Sequence, residues 1–216
     1  MKVLVTGVAG QLGFDVISEL KKRGHEAVGS DIIDSHDPNY LKLDITDKAA
    51  VSKAINELKP DAVIHCAAWT AVDAAEDAEN QPKVYAINAD GTRNIAEACK
   101  SGDCKMVYVS TDYVFDGQGT EPWNPDDKNY APLCVYGKSK LEGELAVSEI
   151  LEKYYIVRIA WVFGKNGKNF VKTMLNVGKK YRTKLRFARI ADTLFRKSRM
   201  WRQGLPGFAL LSFSLY

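Results

Sequence analysis

Apolar and polar positions along the first 160 residues follow two periods, and the switches between them mark out the elements. Short runs rich in aliphatic and β-branched residues at Lys2–Thr6, Glu26–Gly29 (ending at Asp31), Tyr40–Leu43, Ala62–Cys66, Lys105–Ser110 and Tyr155–Ile159 read as strands. Longer stretches with helical spacing lie between them. Gln11–Arg23 places Leu12, Val16, Ile17 and Leu20 on one face, and Gly24 closes it as a left-handed cap. Thr46 is the expected N-cap of a helix over Asp47–Leu58, which Pro60 stops. Lys83–Lys100 and Tyr136–Lys153 read as two further helices, with a Gly-, Pro-, Asn- and Asp-rich loop over Asp116–Pro132. Repeated β-α-β order with strands apolar on both faces predicts an α/β fold, a Rossmann-type doubly wound parallel sheet covered by helices on both sides.

Composition narrows the class without changing that picture. The chain has 216 residues, 46% hydrophobic and 26% charged, which fits a globular protein and excludes global disorder. No apolar run approaches the ~18–20 residues needed to span a bilayer, and the N-terminus lacks the pattern of a signal peptide. The four cysteines, Cys66, Cys99, Cys104 and Cys134, form no Cys-x-x-Cys pair, and His25, His36 and His65 are scattered. That reads as reduced thiols in a cytoplasmic protein with no metal site. The net charge of +3 hides an asymmetry: residues 1–150 hold 15 Lys and Arg against 25 Asp and Glu, and residues 151–216 hold 15 against 2.

Two motifs carry candidate chemistry. Thr6-Gly7-Val8-Ala9-Gly10-Gln11-Leu12-Gly13 stands directly between the first strand and the first helix. Its glycines suit a tight turn, backbone approach to a pyrophosphate and close packing of helix on strand, with the helix N-terminus facing the phosphates. Asp31 ends the second strand, where a carboxylate bonds adenosine ribose hydroxyls and disfavours a 2′-phosphate, leaning towards NADH. The second motif, Tyr136-Gly137-Lys138-Ser139-Lys140, opens a helix with Tyr136 and Lys140 one turn apart on one face. An ammonium beside the phenol is expected to lower its pKa. Ser110-Thr111-Asp112-Tyr113 follows a buried strand at the carboxyl edge of the sheet, where ligands of such sheets bind.

With these stretches, the chain resembles the dTDP-4-dehydrorhamnose reductase family of extended short-chain dehydrogenase/reductases. The resemblance rests on Thr6–Gly13, the run Ala67-Ala68-Trp69-Thr70-Ala71-Val72-Asp73, the run from Ser110 to Gly117, Tyr136–Lys140 with Leu141-Glu142-Gly143-Glu144, and Arg158-Ile159-Ala160-Trp161-Val162-Phe163-Gly164. It implies NADPH- or NADH-dependent reduction of the 4-keto group of dTDP-4-dehydro-L-rhamnose. It makes Tyr136 the proton donor, Lys140 its cofactor-binding helper and Thr111 the third catalytic residue. By the same resemblance Gly7, Gly10, Gln11, Leu12, Gly13, Asp31, Asp44, Ile45, Ala67, Ala68 and Trp69, with Tyr136 and Lys140, contact the cofactor. Thr111, Asp112, Tyr113 and Trp161 contact the dTDP-sugar, Trp161 being read equally as a core aromatic. Related dehydratases carry an Asp-Glu pair after this threonine; here Tyr113 follows Asp112, which fits a simple reductase. The resemblance also allows a homodimer and a magnesium ion at its interface, and implies no nucleic-acid or membrane partner. The alternatives are another sugar-nucleotide reductase or a non-catalytic cofactor-binding relative, such as a regulatory subunit of methionine adenosyltransferase.

The resemblance ends near residue 181. Residues 1–181 read as the NAD(P)-binding domain with the catalytic residues, and 182–216 as a basic tail with neither strand alternation nor a helical stripe. The expectation is that this tail is out of frame or disordered, leaving the family's smaller C-terminal substrate-binding part incomplete; the rival is a basic arm for nucleic acid or anionic membrane.

Overall fold

The computed structural model describes residues 1–118, 121–181 and 211–215, with backbone alone at 180, 181 and 211–215. Strands β1 (Lys2–Thr6), β2 (Glu26–Asp31), β3 (Tyr40–Lys42), β4 (Ala62–His65), β5 (Lys105–Thr111) and β6 (Tyr154–Ile159) pair in parallel. The order is β3-β2-β1-β4-β5-β6, so the winding reverses between β1 and β4. The crossovers put α1 (Gln11–Lys22) on one face, and α2 (Lys48–Leu58), α4 (Gly91–Ser101) and α5 (Val135–Ile150) side by side on the other. Between that second face and the sheet lies the core of Leu4, Ile55, Val63, Ile95, Met106, Tyr108 and Val147. Among the described residues, no helix is long and apolar enough to cross a membrane.

Most predicted elements lie where the pattern places them, and the departures have local causes. Thr46 is not the cap of α2, because its N–H and hydroxyl both donate to Asp44 Oδ1 at 2.9 and 2.7 Å. Asp47 caps instead, accepting from the Ala50 N–H at 2.9 Å. The helix expected over Lys83–Lys100 begins at α3 (Gln81–Tyr85) and widens into a π-type turn at Ala86–Asp90 before α4. The widened turn presents the buried Asn88 sideways, so that its amide bridges the Trp69 backbone and the Ser139 hydroxyl. A helix α6 (Phe170–Tyr181), absent from the sequence reading, starts where Asn169 Oδ1 accepts from the Lys172 N–H at 3.0 Å.

The tail expectation falls mostly outside the described residues, which omit 182–210 and 216. Within it, however, β7 (Leu211–Leu215) adds to the sheet antiparallel to β6, against the reading that no strand pattern occurs there. Its five residues do alternate apolar and polar, Leu-Ser-Phe-Ser-Leu, a period too short to stand out in the basic stretch around it.

One polar cluster ties the second face together. Arg158, on β6 and 7% exposed, forks onto the Glu144 carboxylate of α5 with bonds of 2.9 and 2.7 Å; Glu144 is 1% exposed. The same guanidinium donates to the Tyr130 hydroxyl and the Pro125 carbonyl and lies over the ring of Phe115. The long loop before α5 is thereby fastened to the sheet. At Gly143, the residue before Glu144, α5 approaches β5 so closely that a Cβ would stand 2.3 Å from the Tyr108 hydroxyl and 2.7 Å from the Asn88 carbonyl.

Two stability outcomes follow. Gly143→Ala lowers unfolding free energy by ~1–3 kcal/mol in urea titration, because α5 must back away from the sheet. Glu144→Gln costs about 3–5 kcal/mol by leaving the guanidinium buried without its counter-charge, and the double variant Glu144→Met/Arg158→Leu costs less than that single change. A double-variant loss equal to the sum of the Glu144→Met and Arg158→Leu single losses would show that the pair contributes no coupling.

Candidate active site

A cavity of about 1070 Å³ opens at the carboxyl ends of the strands, above the point where the winding reverses. Its floor on one side is the turn between β1 and α1. Gly7 and Val8 donate their N–H groups to the Ser30 carbonyl, and Gly10 donates to Gly7. A Cβ on Gly13 would lie 2.2 Å from the Gly7 carbonyl oxygen, so only glycine lets the first turn of α1 rest on the loop. Asp31, at the end of β2, accepts the Ala9 N–H at 3.0 Å through Oδ2 and the Ile32 N–H at 2.8 Å through Oδ1. Asp44, Ile45, Ala67 and Ala68 complete this half.

The other half is built by β5, α5 and the segment after β6. Thr111 ends β5; its hydroxyl donates to Asp112 Oδ1 at 3.1 Å and accepts the Tyr113 N–H at 3.2 Å. Burial raises the Asp112 carboxyl, a shift opposed by that threonine bond. Tyr136 stands in the first turn of α5, edge-on to Tyr113 with ring centroids 5.8 Å apart. Trp161 takes a left-handed backbone, φ 55°, rare for a large side chain, and is 69% exposed at the rim. That exposure excludes its reading as a core aromatic.

Burial decides the proton affinities here. Tyr136 is pushed up to about 12 by burial, with a Thr111 hydrogen bond acting the other way. The sequence expectation of a lowered phenol is therefore corrected. Lys140, 2% exposed, donates from Nζ to the Val109 carbonyl at 2.8 Å and lies 4.1 Å above the Tyr108 ring. Burial pulls that ammonium down to about 7, against the charges of Glu144 and Cys66. Lys140 is thus engaged by β5, and the phenol keeps its proton.

The cavity thus gathers every sequence-predicted site residue except one. Gly7, Gly10, Gln11, Leu12, Gly13, Asp31, Asp44, Ile45, Ala67, Ala68, Thr111, Asp112, Tyr113, Tyr136, Lys140 and Trp161 all line it. Trp69 does not. Its indole N–H donates to the Ala71 carbonyl and its ring packs against the small cluster of Ala75, Val84 and Val135. Among the described residues, no group of three or more His, Cys, Asp or Glu side chains is arranged to hold a metal ion.

Sequence reasoning missed the polar chain behind the site. Thr6 Oγ1 and Thr92 Oγ1 flank the buried His65 ring at 2.7 and 3.1 Å, and Thr92 donates to the Asn88 carbonyl. Asn88 then reaches Ser139, whose hydroxyl donates to the Tyr136 carbonyl. Burial and the Lys140 charge hold His65 neutral, down to about 3. Local spacing links only Asn88 to Thr92 and Tyr136 to Ser139; the bonds from Thr6 to His65, His65 to Thr92 and Asn88 to Ser139 join residues far apart in the chain. Ser110, next to Thr111, was also passed over as a polar atom in need of a partner. Its Oγ is buried at the cavity with no hydrogen-bond partner among the described residues.

Comparison with known proteins now bears on this arrangement. The family model described as the RmlD substrate binding domain matches residues 1–206. The dTDP-4-dehydrorhamnose reductase of Streptomyces griseus is 43% identical over 176 residues, which are 81% of this chain and 54% of that protein. A dTDP-4-dehydrorhamnose reductase structure from Clostridium acetobutylicum is 47% identical with a TM-score of 0.74, covering 83% of this chain and 60% of that one. A dTDP-4-dehydrorhamnose reductase structure from Bacillus anthracis, in complex with NADP, is 42% identical with a TM-score of 0.75, covering 83% and 61%. The chain spans a little over half the length of the curated relatives it matches. From the extent of the model match and these identities, the chain belongs to the RmlD substrate binding domain family.

Proposed function

We propose that residues 1–181 form the dinucleotide-binding and catalytic unit of an NAD(P)H-dependent reductase. Its substrate is the 4-keto group of dTDP-4-dehydro-L-rhamnose and its product dTDP-L-rhamnose. The observation that carries this reading is convergence: the glycine turn, the Thr111–Tyr136 pair and the unpartnered Ser110 hydroxyl face one cavity. The names of the relatives supply the sugar nucleotide, and the NADP bound in one of them supports the cofactor class. The four free thiols, two of them buried, suit a reducing compartment, and we place the reaction in the cytoplasm.

The residues present fit a dinucleotide. The turn leaves no room for a Cβ at Gly13 and offers the first N–H groups of α1, at Gln11 and Leu12, to a phosphate, while Asp31 stands at the far end of the same wall. When bound, the reduced nicotinamide supplies the hydride. Tyr136 then acts as the acid. Its phenol, held protonated by burial, gives its proton to the oxygen of the forming alkoxide. Thr111 shares a hydrogen bond with that phenol and orients it. Lys140 lies one turn further along α5, where its ammonium favours the phenolate left behind. Asp112 is followed by Tyr113 and has no adjacent carboxylate, so the site holds an acid for reduction and lacks the acid–base pair for water elimination.

Two measurements test this. NADPH oxidation dependent on an added dTDP-4-keto-6-deoxy sugar is the assay; Tyr136→Phe lowers kcat roughly 10²–10⁴-fold while leaving cofactor affinity near that of the parent chain. A parent chain that binds cofactor and turns over no keto-sugar would instead favour the non-catalytic relative. The second outcome concerns Lys140. Its ordinary value is 10.5 and its folded value about 7, so across that window the unfolded chain carries a proton the folded one has released. Stability of the ligand-free protein therefore rises with pH from 7 to 9, on the order of a few kcal/mol. Lys140→Met removes most of that rise, read as urea midpoints at the two pH values.

A further inference from the structure

The segment between Trp161 and α6 folds back as a strap over the glycine turn. Asn166 donates from Nδ2 to the Ala9 and Gly10 carbonyls, both at 3.3 Å. Asn169 donates to Gln11 Oε1 at 2.9 Å and to the Gly164 carbonyl at 3.0 Å, and its own Oδ1 starts α6. Lys172 closes the strap from the outside by donating to the Gly167 and Lys165 carbonyls. Gly167 sits against α1: a Cβ there would lie 3.4 Å from the Gln11 Cβ and 3.7 Å from the Gln11 nitrogen.

Lys168, the next residue, is exposed and lines the cavity. Three lysines line it in all, and the other two are committed elsewhere. Lys140 is held by the Val109 carbonyl, and Lys83 lies over the Trp69 ring at 5.8 Å. Asp31, Asp44 and Asp112 bring negative charge to the same walls. A doubly charged pyrophosphate seated on the glycine turn would meet only the partial charge of the α1 N-terminus unless a cation were carried to it. The strap carries one. No ion-pair or hydrogen-bond partner engages Lys168 among the described residues.

We infer that Lys168 is a cofactor-binding residue: its ammonium pairs with the pyrophosphate of the bound dinucleotide, over the turn that its strap grips. This rests on the dinucleotide reading above, and it commits to the pyrophosphate, which NADH and NADPH share, over the adenosine 2′-phosphate or the diphosphate of a sugar nucleotide.

The test is titration calorimetry of the full chain with NADH, NADPH and dTDP. Lys168→Ala weakens NADH and NADPH alike, roughly fivefold to tenfold, with dTDP unchanged. Lys168→Glu weakens both further, and Lys168→Arg keeps them within about twofold of the parent chain. The losses shrink at high salt. Weakening of NADPH alone would place the ammonium at the 2′-phosphate and overturn the inference; weakening of dTDP alone, or no change in any ligand, would overturn it too. If the parent chain binds neither dinucleotide, the functional reading itself fails and the inference goes with it. Because Lys168 is exposed, retained circular dichroism is expected in all three variants.

Discussion

A carboxylate and a guanidinium withdrawn almost wholly from water, Glu144 and Arg158, set the geometry on which the site depends. Removing two such charges from water costs several kcal/mol each, and their attraction compensates only when geometry and remaining hydrogen bonds are good. Here the fork is bidentate, and two further donors of the guanidinium reach Tyr130 and Pro125. The pair cannot be satisfied if α5 rotates or slides, because Glu144 then leaves the reach of β6. Tyr136 and Lys140 sit two turns and one turn earlier on the same helix. Their position over the ends of β5 therefore follows from a contact that lies outside the cavity.

Burial then imposes a conflict on those two residues. The α5 helix is pressed into the sheet at Gly143, so Lys140 enters a fully buried space where its charge is disfavoured. A carbonyl of β5 and the Tyr108 ring hold it in place without neutralising it. The phenol of Tyr136 suffers the opposite shift for the same reason, since burial disfavours the charged form of either group. One burial thus leaves a phenol that stays protonated one turn from an ammonium that is easily lost.

The architecture was legible because parallel strands buried on both faces need apolar runs and helical crossovers, which periodicity reports directly. The glycine turn was legible because its steric demand, at Gly13 above all, is met by one residue type. The Tyr136–Lys140 pair was legible as a helical repeat, but the sign of the tyrosine shift was not, since burial is set by residues distant in sequence. The same holds for Asn88, where one polar side chain widens a helix by satisfying Trp69 and Ser139 from two other elements. Trp69 misled through its neighbours. It follows two cavity residues, yet its indole finds a carbonyl two positions on and turns away. The α6 helix went unread because its start depends on Asn169, which also serves the strap.

The charge division along the chain takes a different meaning in space. Residues 151–179, the described side chains of the later stretch, are tied to the acidic first part by two ion pairs. Arg158 neutralises Glu144 and Lys153 pairs with Asp103 at 2.7 Å, each crossing from the later stretch into the earlier one. Lys172 binds carbonyls to shape the strap, and Lys168 is left facing a cavity lined by acids from the first part. Among the described residues after 150, Arg158 and Lys153 fold back onto the first part of the chain, and Lys172 and Lys168 belong to the strap. At Glu144–Arg158 and Asp103–Lys153, charges divided along the sequence are rejoined in space.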